Sequence, residues 1–134
     1  MDSRSLTIEE ATSRLPLVRV IVKDAMAVKA GLARQQLEVL KHETAGETET
    51  AVLLEEVIES EEIRLDELHE ELRQIDAILA DPLEGVVEFR SVLDGDPVWL
   101  SWKFGEQEVN WWRHWHEQPD DRRPLNPVGQ SAGT

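Results

Sequence analysis

The 134-residue chain has no cysteine and no tyrosine, and no phenylalanine or tryptophan among its first 81 residues. Without cysteine, disulfides, thiolate metal centres and cysteine nucleophiles are all excluded. Cations are scarce as well: 14 Lys and Arg face 28 Asp and Glu, a net charge of −14. Phosphate backbones and anionic membranes both require a cationic face, so neither nucleic acid nor a membrane is an expected partner. The longest apolar run, Leu15 to Val22, is interrupted by Arg19 and is far too short to span a bilayer. The opening stretch MDSRSLTIEEA carries acids and no apolar segment, so a signal peptide is not expected and a cytoplasmic location is. Gly-rich phosphate loops, His-Glu-x-x-His and Gly-x-Ser-x-Gly are also missing, which removes the readily recognised enzyme classes.

What is present divides near Asp81-Pro82. Residues 1–81 hold 19 acids and 9 bases, whereas residues 82–134 hold both phenylalanines, all five tryptophans and five of the six prolines. About fifty residues make only a marginal domain, so the shift marks a change of structural class within one domain. Thr7 and Glu10 have capping-box spacing. A brief entry helix from Ile8 to Arg14 is expected to be broken where it meets Pro16, with a long helix from about Leu15 to Lys41 along Val18, Val22, Ala25, Val28 and Leu32. Gly46 marks a turn, and a second helix is expected from about Thr50 to Leu79. Its seam Leu54, Ile58, Glu61, Leu65, Leu68, Leu72, Ile75 and Leu79 alternates by three and four. The short connection makes the two helices an antiparallel hairpin. Glu61 lies opposite residues 29–34, where Lys29 or Arg34 can pair with it unless it reaches solvent at the seam's edge.

Beyond the helices the apolar period falls to two. Val86 to Phe89 reads as a strand, Asp94-Gly95 as a tight turn, and Val98 to Phe104 alternates strictly. Val98, Leu100, Trp102 and Phe104 fall on one face; Trp99, Ser101 and Lys103 fall on the other. Gly105 marks another turn, and Glu108 to about His116 forms a third run. A small sheet needs an apolar partner, here the helical hairpin. The fold expected is therefore α+β: a long antiparallel helical hairpin, about residues 8–80, followed by a small antiparallel β-meander, about 85–116. Residues 1–118 form a single domain, and 119–134 form a largely irregular tail whose last eight or so residues are expected to be mobile.

Few residues carry recognisable chemistry. Twelve acids and one base between Glu43 and Glu71 read as a solvated helix face. Asp66 and His69 have the spacing of a helical carboxylate–histidine ligand pair, but they flank the seam and helix one offers no matching series. His114 and His116 share a strand face with Glu108, Asn110 and Trp112. With Glu117 adjacent, they form the one candidate site for zinc or a similar divalent metal. The tryptophans cannot all share one face, so some lie on a surface that is either covered by the tail or used for binding. Trp99, Glu106, Trp112 and Arg122 mark that candidate surface, with Glu106 and Arg122 placed as an ion pair.

The order of features resembles a bacterial family known as domain of unknown function 2203. Asp81, Gly85-Val86-Val87-Glu88-Phe89, Leu100, Trp102, Gly105-Glu106, Trp112, Arg122 and Pro124 carry the resemblance. Ser101 stands where that family has a cysteine, Arg113-His114 where it has His-Glu, and Gln118-Pro119 where it has Gly-Phe. The resemblance implies the fold and no activity; a family site built on that cysteine and histidine would here have to use His114 or His116. The leading expectation is thus a non-enzymatic interaction or scaffold protein, a homodimer through its helices, with no cofactor. The alternative is a small metal- or ligand-binding protein, catalytic or not, with its site on the Trp/His-rich meander.

Overall fold

A computed structural model describes residues 4–125. Helix α1 spans Ile8–Thr44. Its N-terminus is fixed by the expected capping box: the Glu10 amide donates to Thr7 Oγ1 at 3.0 Å, and the Thr7 amide donates to Glu10 Oε1 at 2.9 Å. The break expected at Pro16 does not occur, and the helix runs straight through it as one element. An interior proline costs about 3 kcal/mol. Leu15 and Val18 flank it and are fully buried, at about 1.5–3 kcal/mol each, so burial on either side outweighs the lost hydrogen bond.

Both helices end in the same way. At the hairpin turn the Glu47 amide bonds to His42 O, the Gly46 amide bonds to Glu43 O, and Gly46 adopts φ 78°. Helix α2, Thr48–Arg73, ends with the Ala77 amide on Leu72 O, the Asp76 amide on Arg73 O, and Asp76 at φ 64°. These are paired Schellman bonds, which require a left-handed residue and usually take glycine. Aspartate fills that role because Arg14 Nη2 reaches its carboxylate at 3.3 Å, with Arg4 Nε at 3.4 Å. The second helix therefore stops six residues before the expected Leu79. Ile75 and Leu79 still pack into or against the core, but from a turn and a strand.

The sheet is a five-stranded antiparallel meander in chain order: β1 Ile78–Asp81, β2 Val86–Leu93, β3 Asp96–Lys103, β4 Trp111–His114 and β5 Arg123–Pro124. Two strands escaped the sequence reading: β1, taken as helix, and β5, inside the segment taken as irregular. Segment 119–125 contains a 3₁₀ turn at Pro119–Asp121 and β5, and the Leu125 amide bonds to Asn110 O at 2.7 Å. The fold thus continues past residue 118; residues 126–134, where mobility was expected, lie outside the described residues. Asp94-Gly95, with φ 51° and 83°, closes the β2–β3 hairpin as a two-residue turn.

Pairing of Val87 with Trp102, Phe89 with Leu100 and Leu100 with Trp112 sets the face that meets the helices. There Val87, Phe89, Leu100 and Trp102 pack with Leu15, Val18, Val22, Leu68 and Leu72. Phe104, expected on this face, is 38% exposed because β3 ends at Lys103 and the chain turns at Gly105. Leu6 lengthens the sheet edge: its amide donates to Arg90 O at 2.7 Å and its carbonyl accepts from Ser91 Oγ at 2.6 Å. The shared core reaches only as far as Val28 on α1 and Leu65 on α2. Beyond that level, Leu32 and Ala51 are the only fully buried residues of the hairpin among those described. No helix of the described residues is long and apolar enough to cross a membrane.

Candidate functional site

The candidate residues fall on two faces of the sheet. Strand parity places Trp112 and His114 toward the helices, and Trp99, Trp111 and Arg113 on the outer face. Trp99 and Trp112 are therefore on opposite sides. The outer face is not a bare solvated surface: the chain after β4 folds back over it, burying Glu88, Ser101 and Arg113. Arg113 donates from Nε to Glu88 Oε2 at 2.6 Å and from Nη2 to Glu88 Oε1 at 2.7 Å. Its Nη1 donates to the carbonyls of Glu117 and His114, tying the returning segment down.

Tryptophan and arginine alternate over this pair. Trp99 and Trp115 stack with ring centroids 5.6 Å apart. The Arg90 guanidinium lies 5.7 Å from Trp99 and 5.2 Å from Trp115, and Arg113 lies 5.6 Å from Trp99. Trp115 remains 45% exposed. Glu106 and Arg122 do meet, in two hydrogen bonds of 3.1 and 2.6 Å, and Arg122 lies 4.4 Å from the Trp111 ring. Glu106 also accepts from the Lys103 amide at 2.8 Å, and its carbonyl accepts from Trp102 Nε1 at 2.9 Å. These contacts make Glu106 and Arg122 the clasp between the β3–β4 turn and the returning segment. A cleft of about 420 Å³ opens beside that clasp, lined by Asp81, Val86, Lys103, Pro119, Asp120 and others. Lys103 at its wall already pairs with Glu84 at 3.2 Å.

The proposed metal ligands do not form a triad. The rings of His114 and His116 stack at 5.5 Å, and His114 meets Trp112 edge-on at 4.8 Å. Glu117 is engaged elsewhere: Oε2 accepts from Arg123 Nη2 at 2.6 Å and Oε1 from the His114 amide at 2.8 Å. The Arg123 hydrogen bond, with the amide second, holds the Glu117 carboxyl down to about 2. Among the described residues no group of three or more His, Asp or Glu side chains gathers around a common point. Asp66 is exposed and His69 half-buried on α2, with no further ligand beside them.

The family model described as "Uncharacterized conserved protein (DUF2203)" matches residues 4–125. The chain belongs to this family. No curated protein and no solved structure matches it. In this DUF2203 chain Ser101, the residue standing at the resembling cysteine, is fully buried between Glu88 and Trp111 with its hydroxyl unbonded. Arg113, at the first of the two positions where the resemblance had His-Glu, supplies the cation for Glu88. The Glu88–Arg113 pair is the feature that sequence reasoning missed. Its available signal was parity: Glu88 and Arg113 fall on the same face as Ser101 once β2, β3 and β4 are in register.

Proposed function

We propose that this DUF2203 protein is a non-enzymatic interaction protein that self-associates through the distal half of its helical hairpin. One observation carries the reading. Past the shared core, Leu37, Leu40, Leu53 and Ile63 are 55–62% exposed on helices that protrude beyond the sheet. Val52 and Val57 add to that surface. Two helices alone bury one stripe each, and a second hairpin is the usual way to cover the remainder. The tip region shows the concentration directly: Leu37 and Leu40 lie just before Gly46, and Val52, Leu53 and Val57 just after it. Cytoplasmic residence belongs to the same reading, in keeping with a chain that carries no cysteine.

Light scattering at micromolar concentration tests it. The expected mass is twice the 15.3 kDa of one chain. Leu37→Glu combined with Leu53→Glu is expected to give the single-chain mass with an unchanged far-UV circular dichroism spectrum. Both side chains are exposed, so the monomer loses nothing by the exchange. A wild-type mass of one chain overturns the proposal.

A further inference from the structure

The two helices of the protruding hairpin carry opposite charge. From residue 23 to 41, α1 has Lys23, Lys29, Arg34 and Lys41 against Asp24 and Glu38, four bases to two acids. From residue 48 to 66, α2 has six glutamates and Asp66 against Arg64 alone, seven acids to one base. Little of this is neutralised within the chain. The hairpin's ion pairs gather at Glu38, Lys41 and His42 and around Arg64. Lys29, Arg34, Glu56 and Glu59 have no ion-pair partner among the described residues.

Two hairpins stacked by a two-fold axis have two distinct arrangements. With the axis along the helices, both tips lie at the same end, and α1 of each copy covers α2 of the other, antiparallel. With the axis across the helices, the tips lie at opposite ends, and α1 covers α1 while α2 covers α2. The second arrangement sets seven acids against seven over the same stretch. The first sets the basic helix against the acidic one on both sides of the bundle. We infer that the partner of the protruding hairpin is a second copy with its tip at the same end, each basic α1 lying on the acidic α2 of the other copy. Both sheets then sit together at the opposite end, with their outer faces clear of the other copy. This inference rests on the self-association proposed above.

The absence of cysteine makes the test direct. Ala45 is exposed at the tip, so Ala45→Cys gives a uniquely labelled dimer. In the same-end bundle the two tips are diagonal neighbours, and paired spin labels should lie roughly 15–20 Å apart. In the opposite-end bundle the overlap of residues 29–44 separates them by about 25 Å or more, a result that overturns the inference. Lys29→Glu with Arg34→Glu supplies an independent measurement. It should weaken the dimer about tenfold or more while the circular dichroism spectrum holds, because acid then faces acid. An unchanged dissociation constant points to α1 on α1 and also overturns the inference. In either case a dimer still forms, so the self-association reading survives; a monomeric wild-type protein removes both.

Discussion

Glu88 and Arg113 lie on strands that are not neighbours, yet they share two short hydrogen bonds across β3. Strands two apart are separated by about 9–10 Å. The contact is diagonal: across β3 Glu88 pairs with Ser101 and Arg113 pairs with Trp99, and the small Ser101 side chain leaves room for the guanidinium to reach over to Glu88. The pair is 3% and 7% exposed on a face that also carries Arg90, Trp99 and Trp111. It explains how the charged side chains of Glu88 and Arg113 are buried on the face that does not meet the helices; the hydroxyl of Ser101 beside them stays unbonded.

Removing one partner should therefore be costly. Arg113→Met strands a buried carboxylate and releases the segment that its guanidinium holds, and a loss of about 3–5 kcal/mol is expected in urea denaturation. Glu88→Leu combined with Arg113→Met leaves no uncompensated charge and should recover a substantial part of that loss. A double variant as unstable as the single one would show that the ionic interaction is not what the site depends on.

Gly85 and Gly95 separate backbone strain from crowding. Both adopt positive φ, at 73° and 83°. A Cβ at Gly85 would lie 2.6 Å from Met26 Sδ and 2.8 Å from Phe104 Cβ, whereas at Gly95 it meets nothing. Gly95→Ala should cost about 1 kcal/mol from conformation alone. Gly85→Ala should cost a further 1–3 kcal/mol or so from overpacking where β2 meets α1. Equal melting temperatures for the two variants would contradict this.

Local signals carried much of the fold. Thr7 and Glu10 cap α1 as their spacing suggests, Gly46 turns the hairpin, and Asp94-Gly95 sets the β2–β3 register. The heptad seam is correct through Leu72. What failed was decided by contacts distant in sequence. Ile75 and Leu79 keep helical spacing, but Arg4 and Arg14 hold Asp76 left-handed and end the helix before them. Residues 123–124 look irregular because their strand identity comes from β4, not from themselves. The outer face was legible as parity, since Trp99 and Ser101 oppose the core series. Its burial was not, because the covering segment follows β4 and carries turn-forming residues.

Zinc should not bind the meander with useful affinity. Two stacked imidazoles remain after Arg123 and the His114 amide claim the Glu117 carboxylate, and stable zinc sites use three or four protein ligands. Titrating zinc into the protein at micromolar concentration should leave both tryptophan fluorescence and melting temperature unchanged. A stoichiometric change that disappears in His114→Ala with His116→Ala would restore the metal reading.

Acid should release the returning segment through Glu117. Its carboxyl is held down to about 2 from an ordinary value of 4.5, chiefly by Arg123 and then by the His114 amide. A group whose pKa is depressed in the folded state stabilises fully above its unfolded value, and that stabilisation is lost as pH falls toward the folded value. The melting-temperature difference between wild type and Glu117→Gln should therefore be constant above about pH 5 and shrink between 4.5 and 2. Glu10, also lowered by its capping-box hydrogen bond, titrates in both proteins and cancels in the difference. Glutamine keeps the shape but offers one acceptor oxygen where the carboxylate offers two, to Arg123 and to the His114 amide; that loss does not vary with pH, so the pH-dependent part of the difference reports the charge. A difference that stays flat down to pH 2 would mean that the charge of the Glu117–Arg123 contact contributes nothing to stability, leaving Arg113 and the Glu106–Arg122 clasp to hold the segment.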